Sequence, residues 1–293
     1  MRSLLFVPGD SPRKLEKGLA SGADALIVDL EDSVAPDRKA EARKTTLGFL
    51  QERTKAPRHP VLVVRVNGLE TGLIDADLEA VIGGRPDAIL LPKAEGGGSV
   101  IHLAAKLSVR EALCGLPDGG IKIVPIATET ATALFAAGSY AGASPRLSAL
   151  TWGAEDLSVE LGTETNRGAD GRFTQPFQFA RTLCVAAAAA AKVQALDTVF
   201  VDFRDDDGLK REAEEARRDG FTGKMAIHPA QVPIINAVFT PSPAAIAKAH
   251  AVIAAFAATP GVGVIGIDGL MYDRPHLERA KLTLARAKQA GSA

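Results

Sequence analysis

The stretch ALIVDLED, residues 25–32, carries the pattern that decides the fold. Its first four residues, Ala25–Val28, form a continuous apolar run, which the acidic residues Asp29, Glu31 and Asp32 follow. An apolar run without alternation is typical of a strand that is buried on both faces, as in a parallel sheet. The stretch therefore predicts a parallel strand with acidic side chains at its carboxyl end.

The same order of a short apolar run, a charged or glycine-rich loop and a longer helix-forming stretch recurs along the chain. Eight runs are predicted to be strands: Leu4–Val7, Ala25–Val28, Val61–Val64, Ala88–Leu91, Ile121–Ile126, Ala149–Trp152, Thr198–Val201 and Met225–Ile227. Helices are predicted between them, among others at Pro12–Ser21, Ala76–Ile82 and Leu209–Asp219. Strand–helix alternation indicates a parallel sheet. Eight repeats favour a (β/α)8 TIM barrel, an α/β fold of about 250 residues, over an open doubly wound sheet.

The last part of the chain has a different pattern. From Pro241 onwards, two helices are predicted at Ala244–Ala258 and Pro275–Ala290, with the glycine-rich segment TPGVGVIGIDGLMYD between them as a loop or hairpin. We therefore expect a catalytic barrel over residues 1–240 and a C-terminal helical extension over residues 241–293. The extension is expected to act as a lid on the barrel mouth or to reach a neighbouring subunit.

Composition excludes several classes of protein. The 34 Lys and Arg residues balance 35 Asp and Glu, and a net charge of −1 argues against a nucleic-acid partner. Two cysteines in 293 residues argue against a disulfide scaffold. No uncharged apolar run is long enough for a transmembrane helix. We therefore expect a cytoplasmic protein without nucleic-acid or membrane partners.

Charged side chains follow most of the predicted strands, at the end where a barrel carries its active site. The acidic ones are Asp29, Glu31, Asp32, Glu95, Glu129, Glu155, Asp156 and Asp202, and the basic ones are Arg65, Lys93 and Arg204. Carboxylates that converge on one mouth stay ionised only where a cation compensates for their charge. Oxygen ligands without clustered His or Cys favour a hard cation, so we expect Mg²⁺ first and Mn²⁺ second.

Each candidate also has a structural interpretation. Acidic residues at strand ends are often helix caps, and Asp156 could cap a helix that begins near it, whereas Glu129 directly follows a strand. Lys93 is expected to pair with Glu95 or Glu129 as charge balance, since surrounding carboxylates oppose the lowered pKa of a Schiff-base lysine. His228 is expected to be buried and hydrogen-bonded rather than a ligand. Arg65 suits an anion clamp.

Seven sequence blocks together resemble a known family. They are MRSLLFVPGDSPRKLEKGLASGADALIVDLEDSV, VVRVNG, LLPKAE, IATETA, TWGAEDLSVELG, GKMAIHPAQV and GLMYDRP, in this order over nearly the whole chain. The chain resembles the citrate lyase β-subunit-like branch of the HpcH/HpaI aldolase family, which includes citryl-CoA and malyl-CoA lyases. The resemblance implies a TIM barrel with a C-terminal extension that assembles as a homotrimer or a dimer of trimers.

The resemblance also implies roles for individual residues. The family holds Mg²⁺ through one Glu and one Asp, which correspond to Glu129 and Asp156. Its substrate-binding arginine corresponds to Arg65, and an active-site carboxylate corresponds to Asp32. An acid/base Asp that relatives supply from a neighbouring subunit corresponds to Asp273.

Further positions match less specific parts of the family pattern. Glu31, Lys93 and Glu95 are expected to support the site, and the backbone of Gly153, Ala154 and Glu155 to bind a developing oxyanion. Coenzyme A is expected near Phe6, with Arg13 and Lys17 as phosphate contacts. Tyr272 departs from the pattern, because relatives often carry a small aliphatic residue there, and this leaves the acyl group open.

The reaction that the resemblance implies is reversible carbon–carbon cleavage of a 3-hydroxy-3-carboxy-acyl-CoA, such as malyl-CoA, citramalyl-CoA or citryl-CoA, to a 2-oxo acid and an acyl-CoA. The enzyme would then be an oxo-acid lyase. The alternatives on the same site are a malyl-CoA thioesterase, a malate or citramalate synthase, and the citryl-carrier-protein lyase subunit of a citrate lyase complex. A pyruvate aldolase and a non-catalytic barrel are less consistent with the extension and with the charged strand ends.

Overall fold

The structure, a computed structural model, describes residues 1–53 and 60–291. Eight strands form one parallel sheet: β1 (Ser3–Pro8), β2 (Ala25–Asp29), β3 (Val61–Arg65), β4 (Ala88–Leu91), β5 (Lys122–Pro125), β6 (Ala149–Leu150), β7 (Gln194–Asp197) and β8 (Gly223–Ala226). Their order is β5-β4-β3-β2-β1-β8-β7-β6. Parallel bridges from Ile123 to Leu147 and from Ile126 to Thr151 join β5 to the β6 segment and bring the two edges together. The predicted TIM barrel is confirmed.

Helices alternate with these strands. They are α1 (Pro12–Leu19), α2 (Lys39–Arg53), α3 (Ile74–Val81), α4 (Gly97–Leu113), α5 (Ala131–Ala136), α6 (Ala154–Leu161), α7 (Gln175–Ala191), α8 (Asp206–Asp219) and α9 (Gln231–Phe239). The three helices predicted between strands correspond to α1, α3 and α8. Among the described residues, no helix is long and apolar enough to cross a membrane.

The strands form because their apolar side chains can be buried on both faces. All five residues of β2 and all four of β4 are buried. Side chains from β1 to β8 form one cluster with Leu4, Ile27, Val63, Leu90 and Met225 among its members. Burial of a side chain of this size contributes about 1.5–3 kcal/mol, so the continuous apolar runs determine where the strands lie.

The seventh strand was placed wrongly by the sequence pattern. The prediction was Thr198–Val201, whereas the structure has β7 at Gln194–Asp197. Asp197 is fully buried at the end of this strand because Lys224, on the neighbouring β8, lies 2.8 Å from its Oδ2. The strand therefore contains a buried, charge-paired aspartate, and this residue interrupts the apolar run by which a strand is recognised in the sequence.

The chain divides into two compact units, Met1–Asn236 and Ala237–Ala293. The second unit contains α10 (Pro243–Ala258), the antiparallel strands β9 (Val264–Ile267) and β10 (Leu270–Asp273), and α11 (Arg274–Gln289). Asp268 and Gly269 connect the strands with positive φ angles of 49° and 76°, as a tight hairpin turn requires. Phe256, Tyr272 and Leu277 belong to the small apolar core of this unit.

Candidate active site

The carboxyl ends of the barrel strands surround a cavity of about 990 Å³. Its walls come from residues at or after the ends of β1, β2, β3, β5, β6, β7 and β8. The residues predicted from sequence that line it are Phe6, Lys17, Asp32, Arg65, Glu129, Gly153, Ala154, Glu155 and Asp156. TIM barrels carry their active sites at this end. The structure therefore brings most of the candidate residues of the barrel unit to one mouth.

Arg65, the last residue of β3, is clamped by Asp29, the last residue of β2. Nε and Nη2 of Arg65 donate to Oδ1 and Oδ2 of Asp29, each at 2.7 Å. The two residues are directly opposite in the sheet register, so the strands themselves set this bidentate pair. Phe6 of β1 contacts the guanidinium, with its ring centroid 4.8 Å from Cζ. Arg65 is thus held in one orientation at the mouth.

Both members of this pair stay charged despite burial. Burial opposes the charge on Arg65, but its bonds with Asp29 and the nearby acids raise its pKa above the ordinary value. Burial likewise opposes ionisation of Asp29, but Arg65 holds the pKa of that carboxyl below its usual range. Charge-assisted bidentate bonds are among the strongest polar contacts in proteins.

Glu31 and Lys93 extend the charge cluster. Oε2 of Glu31 lies 2.8 Å from Nη1 of Arg65, and Oε1 accepts a hydrogen bond of 2.7 Å from Nζ of Lys93. Burial raises the pKa of Glu31, although both cations oppose that shift. Nζ of Lys93 also lies 3.3 Å from Oδ1 of Asp156, and its backbone N–H donates to Oε2 of Glu129 at 2.6 Å. Lys93 therefore contacts three carboxylates.

Glu129 follows β5 and is 2% exposed, and Asp156 lies in the first turn of α6. Burial, together with the Asp156 carboxylate, raises the pKa of Glu129 to about 8. A Cβ atom at Gly153 would come within 3.0 Å of Oε1 and 3.1 Å of Cγ of Glu129. A side chain at position 153 would therefore have to displace the Glu129 side chain by a few tenths of an ångström.

The cluster carries more negative than positive charge. It contains the carboxylates of Asp29, Glu31, Glu129 and Asp156 and the cations of Arg65 and Lys93. Mg²⁺ is commonly held by one or two protein carboxylates and keeps several waters. In residues 1–53 and 60–291, no group of three or more His, Cys, Asp or Glu side chains is arranged as a metal cage. The excess of carboxylates over cations and the oxygen donors of Glu129 and Asp156 fit Mg²⁺ or Mn²⁺, with substrate and water as the remaining ligands.

The start of α6 adds backbone donors to the mouth. Gly153 is the N-cap, and Ala154 and Glu155 are the first helical residues. The first N–H groups of a helix have no partner within it and carry partial positive charge. The side chain of Glu155 accepts a hydrogen bond of 2.8 Å from Asn166. The backbone of this segment can therefore bind a negatively charged oxygen.

Of the remaining candidates of the barrel unit, some line the cavity and others do not. Asp32 is exposed and lines the cavity. Lys17 of α1 also lines it, and so does Lys14, which the sequence analysis did not single out. Arg13 and Glu95 are exposed and do not line the cavity. The basic side of the mouth is thus formed by Lys14 and Lys17.

The burial expected for His228 is wrong. The residue is exposed and lines the mouth, its Nδ1 accepts a hydrogen bond of 3.2 Å from the backbone of Ala230, and its ring stacks on Phe203 at 5.0 Å. Asp202 and Arg204 do not directly follow a strand, because β7 ends at Asp197, and both are exposed. The error in the seventh strand explains this difference.

Asp273 lies in the second unit, at the end of β10, and is the N-cap of α11. Its carboxylate is hydrogen-bonded to the ring of His276. That bond lowers the pKa of Asp273, whereas an acid/base role was expected to need a pKa raised by burial. The neighbouring Tyr272 is buried in the core of this unit, with its ring edge-on to His276 at 5.2 Å.

Sequence reasoning gave no role to two residues that organise the mouth. Asp29 fixes Arg65, and the signal for it was present, because an acid ends one buried strand and an arginine ends the next. Trp152 is fully buried, lines the mouth and donates from Nε1 to Oδ1 of Asp197 at 2.8 Å. Its partner is distant in sequence, so no local pattern could indicate this bond.

The family described as HpcH/HpaI aldolase/citrate lyase matches residues 2–229. The chain belongs to this family. A second family, described as a C-C bond lyase of the TIM-barrel fold, matches residues 175–292. The predicted family is therefore confirmed, and the protein is an enzyme of the HpcH/HpaI lyase family.

Members of the HpcH/HpaI family with assigned names match over almost the full chain. A (3S)-malyl-CoA thioesterase of Cereibacter sphaeroides is 42% identical over 98% of this chain and 94% of its own. Citrate lyase subunit beta of Escherichia coli is 35% identical over 99% and 94%. The protein CitE of Mycobacterium tuberculosis, solved with magnesium, acetoacetate and coenzyme A, is 34% identical with a TM-score of 0.79 over 98% of each chain. The family's relatives thus include both lyases and thioesterases.

Proposed function

We propose that the protein cleaves, or forms, the carbon–carbon bond of a 3-hydroxy-3-carboxy-acyl-CoA thioester such as malyl-CoA, citramalyl-CoA or citryl-CoA. The observation that carries the proposal is the charge cluster at the mouth, in which Arg65, held by Asp29, is linked through Glu31 and Lys93 to the carboxylates of Glu129 and Asp156. This set of groups can hold an anionic oxo acid and a divalent cation together. The family descriptions support the same reaction class.

In the cleavage direction the bond between C2 and C3 of the acyl chain breaks. The C3 hydroxyl loses its proton and becomes the keto group of the 2-oxo acid, while C2 gains a proton and becomes part of the released acyl-CoA. Glu129 and Asp156 would hold Mg²⁺ or Mn²⁺. The bound cation would supply a Lewis acid that polarises the hydroxyl and carboxylate of the departing oxo acid.

Arg65 would bind the oxygen atoms of that oxo acid. A guanidinium has five N–H groups; Asp29 takes two of them and Glu31 lies 2.8 Å from Nη1, so at most two N–H groups remain for substrate. Since Asp29 and Phe6 already fix the guanidinium, little orientation has to be gained when substrate binds. The negative charge that develops on the thioester oxygen would be stabilised by N–H groups at the start of α6.

The thioester would extend past the basic side of the mouth. Lys14 and Lys17 of α1 are suitable contacts for the phosphates of coenzyme A, because both line the cavity. The structure of CitE from Mycobacterium tuberculosis with coenzyme A supports this choice of carrier. We therefore propose a coenzyme A thioester rather than a carrier-protein thioester.

We assign proton transfer at C2 to Asp273, supplied by a neighbouring subunit of a homotrimer or dimer of trimers. In the isolated chain His276 lowers the pKa of Asp273, so the role requires that the assembly separate or bury this pair. Burial away from water raises the pKa of a carboxyl group, and the group can then exchange a proton near neutral pH. The assignment rests on the family pattern, and mixed oligomers test it.

The testing experiment is a cleavage assay with Mg²⁺ on malyl-CoA, β-methylmalyl-CoA, citramalyl-CoA and citryl-CoA. Oxo acid and free coenzyme A are measured separately. Oxo acid that appears together with an intact acyl-CoA identifies a lyase and names its substrate. Glu129→Ala and Asp156→Ala should abolish this activity and keep the circular dichroism of the folded protein; full activity in either variant would contradict the cation site.

A thioesterase is the second candidate, because relatives named (3S)-malyl-CoA thioesterase are 42% identical to this chain. Water would then attack the thioester carbonyl in the same mouth, and free coenzyme A and a hydroxy acid would appear without oxo acid. Free coenzyme A formed from an acyl-CoA and added glyoxylate or pyruvate would instead indicate malate or citramalate synthesis. Inactivity on all four compounds, with Mg²⁺ bound, would refute these four substrates and favour a carrier-protein thioester or another acyl chain.

A further inference from the structure

Lys93 has an unusual backbone for a lysine. Its φ angle is +51°, in the left-handed region that residues with a side chain rarely adopt. Such conformations persist where the surrounding structure requires them. Here the conformation directs the backbone N–H of Lys93 to Oε2 of Glu129 at 2.6 Å, while the side chain reaches Glu31 and Asp156.

The backbone and the side chain of Lys93 therefore act in two different ways on the same cluster. The N–H group orients Glu129, one of the two carboxylates assigned to the cation. The ammonium lies 3.3 Å from Oδ1 of Asp156, the other carboxylate, and 2.7 Å from Oε1 of Glu31. A cation held by Glu129 and Asp156 would have this positive charge as a close neighbour.

We propose that Lys93 is a positioning residue that sets the affinity of the Glu129–Asp156 pair for a divalent cation. Its N–H group holds Glu129 in place, and its ammonium acts as the counter-ion of the empty site and repels the incoming cation. The inference rests on the proposed cation site. The side chain of Lys93 is 31% exposed, which gives the ammonium access to water when a cation replaces it at Asp156.

The repulsion is large enough to measure. The Coulomb repulsion between a unit charge and a divalent ion in the same charge cluster changes a binding constant on the order of tenfold, even at the dielectric constant of water. Removing the ammonium should therefore tighten Mg²⁺ binding. It should also destabilise the empty protein, since Glu31 and Asp156 lose their shared cation.

The experiment uses the full-length protein and MgCl₂ alone, with isothermal titration calorimetry for affinity and thermal unfolding for stability. Lys93→Met keeps the backbone N–H and removes the charge, and we expect about tenfold tighter Mg²⁺ binding and a lower melting temperature without Mg²⁺. Lys93→Arg keeps the charge and should bind Mg²⁺ with nearly unchanged affinity. Lys93→Gly removes the charge, keeps the N–H and relieves the positive φ, so it serves where the Met variant does not fold.

The matched control is Lys106→Met, which makes the same change in net charge on α4, where Lys106 pairs with Asp75 at 2.7 Å. Its Mg²⁺ affinity should equal that of the unaltered protein. Unchanged or weaker Mg²⁺ binding in Lys93→Met and Lys93→Gly, with binding by the unaltered protein intact, overturns the role of Lys93 alone. If the unaltered protein shows neither heat nor a thermal shift with Mg²⁺, the cation site itself is wrong and the inference falls with it.

Discussion

A buried lysine in the barrel offers a direct test of how charges are held inside this fold. Lys224 of β8 is fully buried, and its Nζ lies 2.8 Å from Oδ2 of Asp197 and 2.8 Å from Oε1 of Glu212. Asp197 is also bonded to Arg181 and to the indole of Trp152. We predict that Lys224→Met destabilises the protein by about 3–5 kcal/mol, because two buried carboxylates lose a common cation.

The size of this effect follows from the contacts that are lost. Each bond to a charged partner is worth about 1.5–3 kcal/mol, and Lys224 makes two. Arg181 remains beside Asp197, and Arg167 remains 2.6 Å from Glu212, so neither carboxylate becomes isolated. The total is a large part of the 5–15 kcal/mol that typically stabilises a domain.

The effect should depend on pH in a defined direction. Burial raises the pKa of Asp197, but Lys224 and Arg181 outweigh it and lower the pKa to about 2. A pKa below the unfolded value gives stability that is present above about pH 4 and is lost as the pH falls towards 2. In Lys224→Met the pKa of Asp197 rises, so the difference in stability between the two proteins should be largest near neutral pH and narrow below pH 4.

The assay is urea and thermal unfolding followed by fluorescence. Trp152 is the only tryptophan of the chain, and it is bonded to Asp197, so its emission reports on this cluster. At roughly 2 °C per kcal/mol for a chain of this size, the melting temperature should fall by about 6–10 °C. The control is Lys210→Met on the exposed side of α8, which should change stability by less than about 0.5 kcal/mol. A loss below about 1 kcal/mol in Lys224→Met would refute the reasoning.

Three further predictions concern the mouth. Arg65→Lys should lower kcat by about 10²–10³, because a point charge cannot replace the fork held by Asp29; unchanged kcat and KM would make Arg65 structural. Gly153→Ala should weaken Mg²⁺ binding in calorimetry by about tenfold, since the added Cβ displaces Glu129, and equal affinity would contradict this. Asp273→Asn should impair turnover more than acyl-CoA binding, and verified mixed oligomers with a Glu129 variant should regain activity; no regain excludes a shared site.

Most of the fold could be predicted from the sequence because barrel strands are short and apolar on both faces. Ala25–Val28 and Ala88–Leu91 are continuous runs, and β2 and β4 follow them closely. The seventh strand could not be predicted in this way, because Asp197 occupies a position where an apolar residue is normally found. Its burial depends on Lys224 and Arg181, which lie elsewhere in the chain, so the compensation is visible only in three dimensions.

The candidate site was predictable to the extent that it consists of residues at strand ends. Glu129 and Arg65 could be singled out because each follows an apolar run, and the structure brings both to the mouth. The side-chain partners of Lys93 could not be predicted. Glu95 and Glu129 were expected to pair with it, but its ammonium contacts Glu31 and Asp156 instead. Lys93 follows β4, whereas Glu31 follows β2 and Asp156 follows β6, so these pairings depend on side-chain reach across the mouth between non-adjacent strands, which sequence spacing does not encode.

The charge cluster around Lys224 and the charge cluster at the mouth differ in how completely their charges are matched. Around Lys224, the carboxylates of Asp197 and Glu212 are matched by Lys224, Arg181 and Arg167, and no further cation is needed. In the cluster of Asp29, Glu31, Glu129 and Asp156 at the mouth, four carboxyl groups share the cations of Arg65 and Lys93, and burial together with Asp156 raises the pKa of Glu129 to about 8. A buried excess of negative charge costs stability unless a ligand supplies the missing charge. Such an imbalance suits the proposed cation site, and this is the physical reason for proposing the reaction at this mouth.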